Sequence, residues 1–304
     1  MLATKKLIEL PEDIFRLLRD MFYHHCGVYF DDQSKYFVEG RLQNSLQRLQ
    51  FDNFKDYYYF LKYDRRSQEE FSNVIDLLTI HETYFFREDQ QLKAFTDEIL
   101  PELLTTRVST RSLRIWSAGC STGEEPYTLS MLILENEMFK EWSVEIFASD
   151  ISHRVLQTAR RGVYSGASLR VMNSYYLTKY FHKEEHGYRI DDRVKKNVTF
   201  LHLNLLDTDK MVFINALDVI LCRNVIIYFD QEAKKKIITT FHQKLNPGGY
   251  LLLGHSESLI NLSTVFSLRH LKHDMVYQKH AASVQRQSER ADCQRTTDRS
   301  NRLE

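Results

Sequence analysis

Leu113-Arg-Ile-Trp-Ser-Ala-Gly-Cys-Ser-Thr-Gly-Glu-Glu-Pro-Tyr-Thr-Leu-Ser-Met131 is the stretch at which the 304-residue chain stops reading as consecutive helices and starts reading as strand, turn and helix. Leu113, Ile115 and Trp116 suit a buried strand. Gly119 and Gly123 relieve the steric limits of a tight turn that a ligand must approach closely. Ser121 or Thr122 is placed to cap the helix that follows, with Glu124 or Glu125 completing a capping box and Pro126 where a missing N–H costs nothing. Leu129, Leu132 and Ile133 supply its apolar face. The pattern predicts a nucleotide-type strand, glycine turn and helix.

Charge selects the ligand class. Free N–H groups at a helix N-terminus favour phosphate, yet two acids crowd this one, and its Gly-x-x-x-Gly lacks the lysine of a P-loop. The acids suit a cation. S-adenosylmethionine carries a sulfonium and an amino group and no phosphate, so it answers that charge; alternatively, Glu124 and Glu125 merely complement the helix dipole. Asp150 favours the ligand. It ends a second predicted strand, Val144-Glu-Ile-Phe-Ala-Ser-Asp150, where α/β units place the acid that receives ribose hydroxyls.

A chain of this length, 43% hydrophobic and 12% aromatic, has room for two domains. Lys plus Arg (41) equals Asp plus Glu (41), so no global basic field recommends nucleic acid. Cys26, Cys120, Cys222 and Cys293 are scattered without metal or disulfide spacing, which predicts free thiols in a reducing compartment. No apolar run approaches a membrane span or a signal core, so a cytoplasmic protein without membrane insertion is expected.

Residues 1–90 read as a helical domain and linker, 91–280 as a second domain, and 281–304, nearly devoid of apolar residues, as a disordered tail. Arg41 and Arg48, seven apart, share one face of the second main helix, either as a solvated stripe or as a dock for an acidic partner. His81-Glu82 lacks the second histidine of a zinc protease. Thr83 and Arg87 lie four apart and in a helix would stand side by side. Strands are predicted at 113–118, 144–149, 198–203, 217–222, 249–254 and 274–279, with Asn246-Pro-Gly-Gly249 ending a helix and opening the fifth. A small insertion at 162–194 exceeds a normal connection and contains a possible short strand at Tyr188-Arg-Ile190. Asn204 and Leu205 follow the third strand and Arg223 to Phe229 the fourth, at the strand ends where open α/β sheets bind ligands.

Six blocks carry a family likeness: His-Glu-Thr-Tyr-Phe-Phe-Arg-Glu (81–88), Trp-Ser-Ala-Gly-Cys-Ser-Thr-Gly-Glu-Glu-Pro-Tyr (116–127), Ala-Ser-Asp-Ile (148–151), Asn-Leu-Leu (204–206), Cys-Arg-Asn-Val-Ile-Ile-Tyr-Phe (222–229) and Gly-His-Ser-Glu (254–257). In this order they resemble the CheR family, the chemotaxis-receptor glutamate O-methyltransferases. The resemblance implies a small all-helical domain ahead of a Rossmann-like S-adenosylmethionine-dependent methyltransferase domain. It implies methyl transfer to glutamate side chains in the cytoplasmic domain of methyl-accepting chemotaxis receptors, leaving S-adenosylhomocysteine. By the same likeness His81, Thr83, Arg87, Gly119, Glu124, Asp150, Asn204, Leu205, Arg223 and Asn224 surround the cofactor, although the family often has asparagine where this chain has His81. Arg41, more than Arg48, is expected to meet the receptor, and Arg87 and Tyr228 to position the acceptor carboxylate. No metal, no nucleic acid and a monomer are expected. Two rivals share the cofactor half: a methyltransferase with another acceptor, and a non-catalytic S-adenosylmethionine-binding sensor or adaptor.

Overall fold

Four amphipathic helices open the chain. In the computed structural model, which describes residues 7–281, α1 (Glu12–Cys26) buries Ile14, Phe15, Leu18 and Phe22. α2 (Lys35–Arg48) buries Val38, Leu42 and Leu46, α3 (Phe54–Tyr63) buries Phe54, Tyr57 and Leu61, and α4 (Gln68–Leu78) buries Val74, Ile75 and Leu78. The three-to-four-residue spacing puts each set on one stripe, and the stripes meet in one core. Each such side chain contributes about 1.5–3 kcal/mol of burial. The tail expected over 281–304 falls, beyond its first residue, outside the described residues, as does Cys293.

The connection to the second domain is not helical where a helix was expected. Residues 79–88 run extended and then turn, with Phe86 at φ 60° and Glu88 at φ 58°. Aromatic packing overrides the local pattern: Phe85 is fully buried with ring centroids 4.8 Å from Tyr164 and 5.3 Å from Phe181, and Phe86 lies 4.5 Å from Tyr176. Thr83 and Arg87 are therefore not helical neighbours. α5 (Asp89–Ala94) then passes through a wider turn at Phe95–Ile99 into α6 (Leu100–Thr106).

The sheet follows. β1 (Ser112–Ala118) leads to α7 (Glu124–Leu134), β2 (Ser143–Asp150) and α8 (His153–Arg161). The stretch after α8 holds β3 (Val163–Tyr164), α9 (Ser174–Tyr180), β4 (Phe181–Glu184), β5 (Gly187–Ile190) and α10 (Asp192–Lys195). β6 (Val198–His202), β7 (Leu217–Cys222), α11 (Gln231–Lys244), β8 (Leu245–Leu253), β9 (Phe266–His270) and β10 (Met275–Lys279) complete the fold. The main sheet has the order β6-β2-β1-β7-β8-β10-β9, parallel except where β10 runs against β8 and β9. Residue parity assigns its two faces: Leu113, Ile115, Val219, Leu221 and Leu252 join one core, while Trp116, Ile220, Cys222 and Leu251 join the other with Phe241 of α11. Strands buried on both faces read as continuous apolar runs, which is why they were visible. The chain reverses direction across the sheet between β1 and β7, and that reversal opens a crevice at the strands' C-terminal ends.

Two details differ from expectation. β9 has no counterpart among the predicted strands, because at this edge only Phe266 is buried and Ser267 to His270 show no apolar alternation. β8 starts at Leu245, not 249; Leu245 already pairs with Leu217, and the register shifts across Asn246-Pro-Gly-Gly249 before Tyr250 pairs with Val219. The insertion at 162–194 does contain the short strand expected at 188–190, β5, which joins β3 and β4 in a separate antiparallel sheet, β3-β5-β4, over Tyr164, Tyr180, Phe181 and Ile190.

Candidate functional site

The glycine turn after β1 is shaped by backbone geometry before any side chain acts. Gly119 stands at φ 83°, and a Cβ there would collide with the Val225 side chain, so another residue would be strained and would force Val225 to move. The amides of Gly119 and Cys120 both donate to the Ser149 carbonyl (2.8 and 2.9 Å), tying the turn to the end of β2. The amide of Ser121 donates to Asp150 Oδ2 (2.8 Å), and that of Ser152 to Oδ1 (2.9 Å). α7 is capped by Gly123 at φ 93°, with no side-chain cap; neither Ser121 nor Thr122 takes the expected capping role. Thr122 Oγ1 instead donates to Glu124 Oε2 (2.7 Å).

This turn forms one wall of a cavity of about 340 Å³ at the crevice. His81, Thr83, Arg87, Gly119, Asp150, Asn204, Leu205, Arg223, Asn224 and Tyr228 all line it. Glu124 does not. Its carboxylate, 1% exposed, is taken by Thr122 and by Ser168 Oγ (2.8 Å), and burial pushes its pKa up. Consecutive helical residues diverge by about 100°, and it is Glu125 that reaches the cavity, accepting from Ser117 Oγ (2.6 Å) and Arg223 Nη1 (3.2 Å).

Each strand-end residue has a distinct situation. Burial pushes the Asp150 carboxyl above its ordinary range, against the pull of its amide donors and of His81. His81 contacts Thr79 Oγ1 (2.7 Å) through Nε2, and burial lowers its pKa. Asn204 spends its amide on the protein, donating to the His25 carbonyl (2.6 Å) and accepting from the Leu206 amide (3.0 Å). Arg223 is almost wholly buried between Glu88 (3.1 Å) and Glu125, and also donates to the Arg87 carbonyl. Asn224, at φ 60°, keeps a buried Oδ1 with no partner among the described residues. Arg87 donates to the Glu82 carbonyl (2.7 Å), and its charge opposes the rise that burial imposes on the Tyr228 hydroxyl.

Sequence reasoning missed the helical domain's share of the wall: Cys26, Val28, Tyr29, Phe30, Ser34 and Phe37. They look like ordinary core on the helical pattern, and only the docking of the domains reveals them. Val28 bridges to Phe229, the Tyr29 amide donates to the Tyr228 carbonyl (3.0 Å), and Tyr23 donates to Asp230 (2.7 Å), which pushes the Tyr23 hydroxyl up to about 12. Arg41 is exposed and stacks on Phe37 at 5.1 Å. Arg48 has a structural partner instead, the buried Glu70, which also accepts from Tyr57 (2.7 Å).

S-adenosylmethionine fits these residues. The volume falls in the range of small-molecule pockets, and Glu82, Glu125 and Asp150 outnumber Arg87 and Arg223 on the wall, which suits a cationic ligand and not a phosphate. The unpartnered Asn224 Oδ1 leaves an acceptor where a ligand would lie.

Comparison with known proteins agrees with the geometry. Residues 13–79 match the all-alpha domain of CheR methyltransferases, and residues 81–275 match the CheR methyltransferase SAM binding domain. Chemotaxis protein methyltransferase 2 of Vibrio cholerae serotype O1 is 36% identical over 274 residues, 90% of this chain and 94% of the relative. The chemotaxis protein methyltransferase of Borreliella burgdorferi is 34% identical (83% and 90% covered), and chemotaxis protein methyltransferase 1 of Pseudomonas aeruginosa is 33% identical (86% and 96%). With an all-helical domain docked on a mostly parallel sheet around an acidic, glycine-walled cavity, the chain belongs to the CheR family of S-adenosylmethionine-dependent methyltransferases.

Proposed function

We propose that the protein methylates glutamate side chains in the cytoplasmic domain of chemotaxis receptors, acting in the cytoplasm as a monomer. The observation that carries this reading is that Arg87 and Tyr228 line the same cavity as the acids Glu82, Glu125 and Asp150. S-adenosylmethionine, when bound, supplies an electrophilic methyl group on a sulfonium. His81, Thr83, Asp150 and Asn224 hold it, and Glu125, braced by Arg223, adds negative charge beside it. Arg87 grips the acceptor carboxylate and Tyr228 donates a hydrogen bond to it, so an oxygen is aligned for in-line displacement. A carboxylate is already ionised at neutral pH, so no general base is required. The ester product is neutral and loses its charge-assisted bond to Arg87, which favours release. The names of the relatives supply the chemotaxis context, and the exposed Arg41 beside Phe37 supports an acidic partner at α2. Among the described residues no helix is long and apolar enough to cross a membrane.

Peptide mapping by mass spectrometry tests the acceptor. Receptor cytoplasmic fragments incubated with enzyme and S-adenosylmethionine are expected to gain methyl groups on glutamate; methylation confined to other residue types would contradict the reading.

A further inference from the structure

The loop that carries Asn224 and Tyr228 hangs from one side chain that has no role so far. After β7 the chain follows the sheet's rim, with Asn224 in the left-handed region and a single tight turn over Ile226–Tyr228. Asparagine enters the left-handed region more readily than other non-glycine residues, and which conformation the loop keeps is decided by the neighbour that holds it. Glu257, from the loop after β8, is that neighbour. Its Oε2 accepts from the amides of Asn224 (2.7 Å) and Gly254 (2.7 Å), and its Oε1 from those of Val225 (2.9 Å) and Ile227 (3.3 Å). Four donors fill the acceptor sites of one carboxylate. A Cβ on Gly254 would lie 2.8 Å from the Asn224 amide nitrogen and 2.9 Å from Glu257 Oε2, so the close approach depends on that glycine.

We propose that Glu257 is a positioning residue for methyl transfer: by gripping the amides of Asn224, Val225 and Ile227 it sets where the Tyr228 hydroxyl stands in the cavity. The inference rests on Tyr228 orienting the acceptor, as proposed above. Glutamine at this position keeps the shape but turns an NH₂ toward amide donors, and aspartate keeps the charge but withdraws it by one methylene. Either change leaves the loop unheld.

A double-mutant cycle over Glu257→Gln and Tyr228→Phe tests it, with kcat measured at saturating S-adenosylmethionine and receptor fragment and folding followed by circular dichroism. Each single variant is expected to lose roughly tenfold in kcat, and the double variant to be about as slow as the slower single one, because both act through one hydroxyl. Wild-type kcat in Glu257→Gln, or an equal loss from it in both backgrounds, overturns the inference. Should Glu257→Gln not fold, Glu257→Asp enters the same cycle with the same two outcomes. Wild-type kcat in Tyr228→Phe alone overturns the tyrosine's own role and this route with it, whereas additivity overturns only the role of Glu257.

Discussion

Asp150 shows how one buried carboxylate serves turn and ligand together. Its two oxygens organise the amides of Ser121 and Ser152, and their remaining lone pairs face the cavity. Losing a charged acceptor costs about 1.5–3 kcal/mol, so Asp150→Asn should weaken S-adenosylhomocysteine binding by roughly ten- to a hundredfold; calorimetry showing unchanged affinity would remove Asp150 from the site. Glu124 makes the contrasting case. Its pKa in the folded chain is raised above the ordinary 4.5 by burial, so the stability it contributes is complete below that value and is lost as pH rises through the raised pKa. Glu124→Gln does not ionise and escapes that loss. Its melting midpoint should gain on the wild type as pH rises above about 4.5, and a pH-independent difference would contradict the assignment. The residue pattern left the two acids of the turn interchangeable, and the family likeness chose Glu124. Only the helix's rotation, fixed by Gly123, decides that Glu124 meets Thr122 and Ser168 while Glu125 meets the cavity.

The helix α2 carries two arginines that periodicity alone cannot separate. Arg41 stacks on Phe37, beside the cavity, whereas Arg48 is paired with the buried Glu70. Removing Arg48 leaves that carboxylate with the Tyr57 hydroxyl and the Asn73 amide (3.4 Å), so Arg48→Ala should destabilise the fold by about 1–2 kcal/mol, less than a fully buried pair because its guanidinium is half exposed. Arg41→Ala should leave the denaturation midpoint unchanged and raise KM for the receptor fragment severalfold. The reverse pattern in denaturant melts and kinetics would exchange the two roles. Strand, turn and helix at 112–134 were legible because a parallel strand buried on both faces and a glycine turn leave strong local signals. The segment at 79–88 was not legible as extended chain. Its four-residue Thr83–Arg87 spacing suits a helix, and only long-range aromatic contacts to Tyr164, Phe181 and Tyr176 override it.

The two domains close on each other through the cavity, so binding and folding should be linked across the chain. Asn204 holds the end of α1 through the His25 carbonyl, Val28 bridges to Phe229, and Arg154 donates to the Asp76 carbonyl (3.3 Å). A ligand at a hundred times its dissociation constant adds about 2.7 kcal/mol. S-adenosylhomocysteine should therefore raise the melting midpoint by several degrees in a single calorimetric transition; two transitions, only one of them shifted, would show domains that do not share the site. Domain order and the central sheet were readable from apolar runs and turn signals. The helical domain's part of the wall was not, because residues such as Phe30 and Phe37 pack equally well in a core or at a domain boundary. The most direct measurement of the whole account is alkali-released methanol after incubation with methyl-labelled S-adenosylmethionine and a receptor cytoplasmic fragment. Wild-type enzyme should yield volatile label, and Arg87→Ala should yield at least about a hundredfold less per unit time while keeping its fold. Label that stays on the receptor fragment after alkali, or equal release by the two enzymes, would contradict ester formation at a carboxylate held by Arg87.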